Sequence, residues 1–199
     1  KMGSIFTPYE YYYSWNKANE DEKVSNGISA LLTMIKGAFS KGSLISILRD
    51  FIYYPDDESK ELAIVTRYPQ YFAANKMLEN IKAHLKPKGD GKGGTYFGAT
   101  GSGKTYAMLF LSRMLATHYR DVFDAPTIIV IVDRDDLNKQ TSKLFEDSKQ
   151  FLKDKKVMSI PDRQALNDEL ANNQSGGIYI TTIQKFCETT GLLSERNNI

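Results

Sequence analysis

The stretch "YFGATGSGKTYAML", residues 96–109, constrains this chain more than any other. Glycines at 98, 101 and 103 let the backbone enter left-handed conformations and turn its N–H groups inward. An apolar periodic run follows from Lys104, so the glycines lead into the N-terminus of a helix, where unpartnered N–H groups and a partial positive charge favour anions. The segment Gly98, Ala99, Thr100, Gly101, Ser102, Gly103, Lys104 and Thr105 therefore reads as a cradle for the phosphates of a nucleotide. Lys104 and Thr105 are the catalytic candidates: the lysine supplies a full charge to the β- and γ-phosphates, and the threonine hydroxyl ligates Mg2+ held by the nucleotide.

The rhythm around this loop sets the fold class. A strand is expected over 62–65 and a helix from Pro69 onward, with Ala73, Met77, Ile81 and Leu85 on one stripe, and then a Lys/Gly/Pro linker over 86–94. A strand at 95–98 and a helix at 104–119 flank the loop. Strands at 127–132, near Val157 and at 177–181 alternate with helices at 135–152, at 161–172 and from Thr182. Such alternation predicts an α/β fold, a parallel sheet flanked by helices. Residues 1–60 differ. Five aromatics crowd residues 9–15, a cluster expected to pack against a neighbouring domain rather than stack on bases. Two apolar helical patterns follow, Ile28, Leu31, Leu32, Ile35 and then Leu44, Ile47, Leu48, Phe51, and together they predict a small, mostly helical N-terminal module.

Composition excludes little else. A chain of 199 residues has room for one good core and an appendage. A net charge of +2 neither requires nor forbids nucleic acid. The single cysteine, Cys187, forms no internal disulfide and is expected as a small buried apolar residue, which fits a reducing compartment, the cytoplasm. No apolar run approaches the roughly 18 residues of a membrane span. His84 and His118 lack partners at metal-ligand spacing, and the lysines around residues 76–92 read as a solvated helix face. Lys1 ahead of Met2 suggests an excised piece of a longer chain.

Two further positions bear on the nucleotide. Gln70 stands at a helix start about thirty residues before the loop, and its amide both donates and accepts, as reading an adenine edge requires. Asp133 ends the strand "TIIVIVD" and could hold Mg2+ in a kinase or GTPase, the alternative reading. A non-catalytic scaffold working through residues 1–60 is a third.

Four segments in order, "RYPQYFAANK" (67–76), "TYFGATGSGKT" (95–105), "IVIVDRDDLNKQT" (129–141) and "IYITTIQKF" (178–186), resemble the R subunit of type I restriction enzymes, a superfamily 2 helicase-like motor joined to a nuclease. The resemblance implies that residues 61–199 are the first RecA-like ATP-binding motor domain and that 1–60 link nuclease to motor. It implies adenine recognition by Gln70 beside Arg67, and a place near the DNA backbone for Asp133, Arg134, Thr181 and Thr182. ATP and Mg2+ are the implied cofactors. Double-stranded DNA and the methylation and specificity subunits are the implied partners, with no membrane. The parent enzyme would hydrolyse ATP to translocate DNA and would cleave it. The family's Asp-Glu-Ala-His motif is expected after residue 199, so this piece alone is expected to bind nucleotide weakly and hydrolyse none.

Overall fold

Helical spacing of apolar residues winds the first half of the chain into α1 (Ile28–Ala38) and α2 (Lys41–Asp50). The structure is a computed structural model that describes residues 2–4, 7–19, 22–23, 26–56, 63–186, 194 and 196–199. It divides into two compact units, Lys1–Leu111 and Ser112–Ile199, and the division falls inside a helix, α4. Cys187 lies outside the described residues.

In the first unit α1 and α2 lead into β1 (Ile52–Tyr53), which pairs antiparallel with β2 (Ile64–Val65). The sequence showed the second of these strands but not the first, because two residues are too few to display alternation. Long helix α3 (Tyr68–His84) follows, with proline in its first turn, and α4 (Lys104–Arg113) comes after an irregular stretch. The core is aromatic. Trp15 packs against Tyr71, Phe72 and Tyr68 at centroid distances of 5.5, 6.2 and 6.4 Å, and Phe51 bridges Tyr71 (4.9 Å) and Phe110 (5.2 Å). The cluster at 9–15 thus contributes Trp15 to its own unit, while Tyr9 and Tyr11 form a short 3-10 turn and stay exposed.

Several expectations shift at this stage. The stripe Ile28, Leu31, Leu32 and Ile35 of α1 faces outward, and Thr33, Gly37 and Ala38 face inward. Gly37 explains this: a Cβ there would stand 2.6 Å from the Trp15 indole nitrogen, so the helix approaches the core by its small-residue side. On α3 the fully buried residues are Gln70, Ala73, Ala74 and Leu78, so Ala73 of the expected stripe is buried while Met77, Ile81 and Leu85 are half-buried. Residues 95–98, expected as a strand, carry no ladder, because none of the described strands pairs with them, and Phe97 is 91% exposed.

The second unit holds a three-stranded parallel sheet in the order β3 (Ile128–Val132), β5 (Ile178–Thr182), β4 (Val157–Ser159). All five residues of central β5 are buried, as expected of a parallel strand covered on both faces. Helices α5 (Asp135–Glu146), α6 (Lys149–Leu152) and α7 (Arg163–Asn172) connect the strands, and Asp162 caps α7 by accepting from Ala165 N at 2.8 Å. The helix expected over 135–152 breaks because buried Ser148 donates its hydroxyl to Leu144 O at 2.7 Å. Similarly, Thr117 donates to Arg113 O at 2.6 Å, and α4 ends in a π-helical turn, Met114–His118. On the sheet, Tyr179 packs with Ile160, Leu166 and Leu170; burial pushes its phenol up to about 12, helped by the Glu169 carboxylate that its hydroxyl faces at 3.3 Å. The expected α/β class with a parallel sheet is present. Among the described residues no single helix is long and apolar enough to cross a membrane.

Arg196 sews this unit together. Its guanidinium donates to Asn173 O (2.7 Å), Leu170 O (3.4 Å), Thr127 Oγ1 (2.8 Å) and Asn198 Oδ1 (3.0 Å), joining the segments that enter β3 and leave α7. Arg196→Ala is therefore expected to destabilise the chain by about 1.5–3 kcal/mol in urea unfolding, the scale of charged hydrogen bonds. Arg196→Lys should not restore the loss, because one ammonium cannot span the planar fork of contacts.

Candidate nucleotide-binding site

The glycine-rich loop has the conformation its sequence demands. Gly101 and Gly103 sit at φ +76° and +80°, in the left-handed region. A side chain at Gly103 would collide with the Gln70 amide, and one at Gly98 would stand 2.9 Å from Ser102 Oγ. The loop closes through Ser102 N donating to Ala99 O at 3.1 Å and leads directly into α4. Thr105 lies half-buried in the first helical turn. Lys104 is exposed, and its ammonium folds back on the loop, donating to Gly98 O (2.8 Å) and Ala99 O (3.1 Å). Ser102 Oγ is buried with no hydrogen-bond partner among the described residues.

These features fit the phosphates and Mg2+ of a nucleotide. The cradle has no room for a Cβ at Gly103. A lysine stands in it whose hydrogen bonds among the described residues reach neutral carbonyls, weaker acceptors than a phosphate oxygen. An orphaned hydroxyl lies beside it. Lys104 would meet the phosphates, and Thr105, in the first turn of α4, would ligate the metal ion.

Gln70 is 4% exposed and binds the protein at both ends of its amide. Oε1 accepts from Arg67 N at 2.8 Å, and Nε2 donates to Gly103 O at 3.2 Å and Ser102 O at 3.5 Å. The start of α3 is thereby tied to the loop more than thirty residues on. Arg67, which precedes the helix, lays its guanidinium 3.9 Å from the centroid of the Tyr13 ring. Beside these groups opens a cavity of about 470 Å3, lined by Arg67, Gln70, Gly101, Gly103, Tyr106 and residues of the N-terminal stretch. Tyr106 went unnoticed in the sequence; its position directly after the Lys-Thr pair was the available signal.

The remaining candidates lie in the second unit, at the C-terminal end of its strands, where open parallel sheets bind ligands. Asp133 and Arg134 follow β3 and are exposed. Thr181 and Thr182 end β5, level with Ile131 and Val132 of β3. Both threonines are 1% exposed, and Thr181 Oγ1 donates to Ile160 O at 3.4 Å. A strand of DNA at this edge would thus meet Asp133 and Arg134 directly, and the threonine hydroxyls only after a rearrangement. Arg134 Nε lies 3.7 Å from Asp136 Oδ1 in an exposed pair that stabilises little. Gln184, which the sequence reading passed over, donates its amide to Asp133 O and is exposed at the same edge. Thr182 is the last strand residue, and a 3-10 turn, Ile183–Phe186, takes the place of the expected helix start. Among the described residues no three His, Cys, Asp or Glu side chains gather as a metal site. His84 instead pairs with Asp90 at 2.7 Å; the Lys92 backbone N–H and this ring hold the Asp90 carboxyl below the usual range.

Comparison with known proteins extends the picture. The type I restriction enzyme HindI endonuclease subunit of Haemophilus influenzae is 29% identical over 207 residues, covering 100% of this chain and 19% of that protein. The putative type I restriction enzyme MjaVIIP endonuclease subunit of Methanocaldococcus jannaschii is 33% identical over 201 residues, covering 92% and 17%. A second protein of that organism, the putative MjaVIIIP endonuclease subunit, is 22% identical over 184 residues, covering 87% and 17%. The chain therefore spans less than a fifth of the length of these relatives. The family model of the SWI2/SNF2 ATPase matches residues 69–199, which take in Gln70, the glycine loop and the whole parallel sheet, and the chain belongs to that family.

Proposed function

We propose that this chain is the ATP-binding part of the R subunit of a type I restriction-modification system, the subunit that translocates DNA and cleaves it. The observation that supports the reading is the buried Gln70 amide bound to the carbonyls of the glycine loop, with Gln70, Gly101 and Gly103 lining one cavity. The names of the relatives supply the restriction setting. In this reading residues 1–60 link a nuclease to the motor, and 61–199 belong to its first RecA-like domain. The partners are double-stranded DNA and the methylation and specificity subunits, in the cytoplasm.

Each residue then has a defined task. Lys104 exchanges its carbonyl partners for phosphate oxygens, and the first-turn N–H groups of α4 share the remaining phosphate charge. The Thr105 hydroxyl holds the metal ion that accompanies the phosphates. Gln70 Oε1 keeps a second lone pair for the exocyclic amine of adenine. Asp133 and Arg134 contact the DNA backbone, with Thr181 and Thr182 behind them; such contacts position the strand without reading sequence, so target choice falls to a partner.

Lys104→Ala is expected to weaken MgATP binding about tenfold to a hundredfold by titration calorimetry, the loss of a charge-assisted hydrogen bond, with the circular dichroism spectrum unchanged. An unchanged affinity would remove the loop from the site. Gln70→Ala should lower stability by about 1–3 kcal/mol, since Gly103 O and Arg67 N lose a buried partner, and should abolish a preference for ATP over GTP. Equal binding of the two nucleotides by the unaltered chain would instead favour a kinase or GTPase reading with Asp133 as the metal ligand.

A further inference from the structure

The cavity beside the glycine loop has a wall that the proposed function does not explain. Gly101, Gly103 and Gln70 line the cavity together with Met2–Ser4, Thr7, Pro8 and Tyr11, and β2, Arg67 and Tyr106 also line it. At about 470 Å3 the space falls within the range of roughly 300–1,000 Å3 usual for small-molecule pockets. If the glycines meet the phosphates, as the proposed function has it, the part of the cavity under the N-terminal stretch is left for base and sugar.

This wall is built rather than draped. Met2 and Tyr13 exchange backbone hydrogen bonds of 2.7 and 3.0 Å. Between them, Ser4 Oγ and Thr7 Oγ1 lie 2.6 Å apart, Thr7 N donates to Ser4 O at 3.1 Å, and the Tyr12 hydroxyl donates to Ser4 O at 2.8 Å. The Tyr12 ring lies against Gly3 so closely that a Cβ there would be 2.5 Å from the ring. Tyr13 then sits under the Arg67 guanidinium, and Arg67 N is the group that Gln70 Oε1 binds. A continuous chain of contacts, Tyr13 to Arg67 to Gln70 to Gly103, thus connects the wall to the phosphate loop. Tyr11 lines the cavity yet is 59% exposed, an aromatic face with no ring stacked on it among the described residues.

We propose that the described residues from Met2 to Tyr13 close the base side of the nucleotide pocket, with Tyr11 stacking on the base and Tyr13 positioning Arg67. This rests on the loop being the ATP site. The N-terminal module is then part of nucleotide recognition, and a triphosphate without a base binds independently of it.

The test titrates the 199-residue chain and its Tyr11→Ala, Tyr11→Phe and Tyr13→Ala variants with MgATP and with magnesium tripolyphosphate. Tyr11→Ala is expected to weaken ATP about fivefold or more, the scale of one aromatic–base stack, and to leave tripolyphosphate within about twofold. Tyr11→Phe should bind ATP normally, and Tyr13→Ala should lose ATP selectively. Hydrogen exchange on the unaltered chain adds a measurement that needs no variant: ATP, and not tripolyphosphate, slows the Met2 and Tyr13 amides. ATP affinity unmoved in Tyr11→Ala and Tyr13→Ala, or tripolyphosphate weakened in parallel with ATP, overturns the proposal. Failure of the unaltered chain to bind either ligand overturns the ATP reading as well.

Discussion

The buried Gln70 amide is the interaction on which the rest of the first unit depends. Leaving a side-chain amide without partners in a protein interior costs several times what a made hydrogen bond contributes, so its three contacts are strongly specified. They require the α3 N-terminus and the loop carbonyls to stand within reach of one side chain. They also require glycine at 103, since a Cβ there would occupy the space of the amide nitrogen. Upstream, α3 is held by its aromatic side, where Tyr71 meets Trp15 at 5.5 Å and Phe51 at 4.9 Å. The glycine loop is therefore held to an aromatic core in two ways, through this amide and through α4, where Phe110 meets Phe51 at 5.2 Å, and its geometry follows from packing within the unit.

The second unit follows a different rule. Its central strand is buried on both faces, so the side chains at its C-terminal end, Thr181 and Thr182, are part of the sheet's interior. The exposed polar side chains at that end belong to residues just beyond the strands, Asp133, Arg134 and Gln184, which the turns present to solvent. Arg134 and its two following aspartates also open α5, where carboxylates are favourable at the helix N-terminus. Part of what reads as a DNA-facing motif is thus a requirement of helix initiation.

What the sequence made legible follows from where the information is local. Helices α3, α4, α5 and α7 and the strands β3 and β5 were readable because periodicity, proline and the glycine loop signal within a few residues. The break at Ser148 and the π-helical turn at Met114–His118 were not, since each involves one hydroxyl bonded to a carbonyl four residues back. The spacing of Ile28, Leu31, Leu32 and Ile35 signals helix α1 but not which face it buries, because the contact made by Gly37 against Trp15 lies more than twenty residues away in sequence. The candidate site divides in the same way. Lys104, Thr105, the glycines and Gln70 announce themselves by type and spacing, and Tyr106 by following the Lys-Thr pair, whereas Tyr11 lines the cavity and Tyr13 meets Arg67 only once distant segments are folded together.

Commitment of both ends of the Gln70 amide has a consequence for selectivity under the proposed reading. A base reader free in solution contributes its own hydrogen bond and nothing more. Here any movement of the amide toward adenine draws on Gly103 O and Arg67 N, so reading the base is coupled to the conformation of the loop that holds the phosphates. Lys104 makes the converse link, since its release from Gly98 O and Ala99 O when phosphate arrives frees the carbonyl side of the same loop. By linkage, whatever affinity the phosphates gain from an ordered base pocket the base gains equally from bound phosphates. ATP would then be distinguished from either of its parts by more than the sum of their separate contacts.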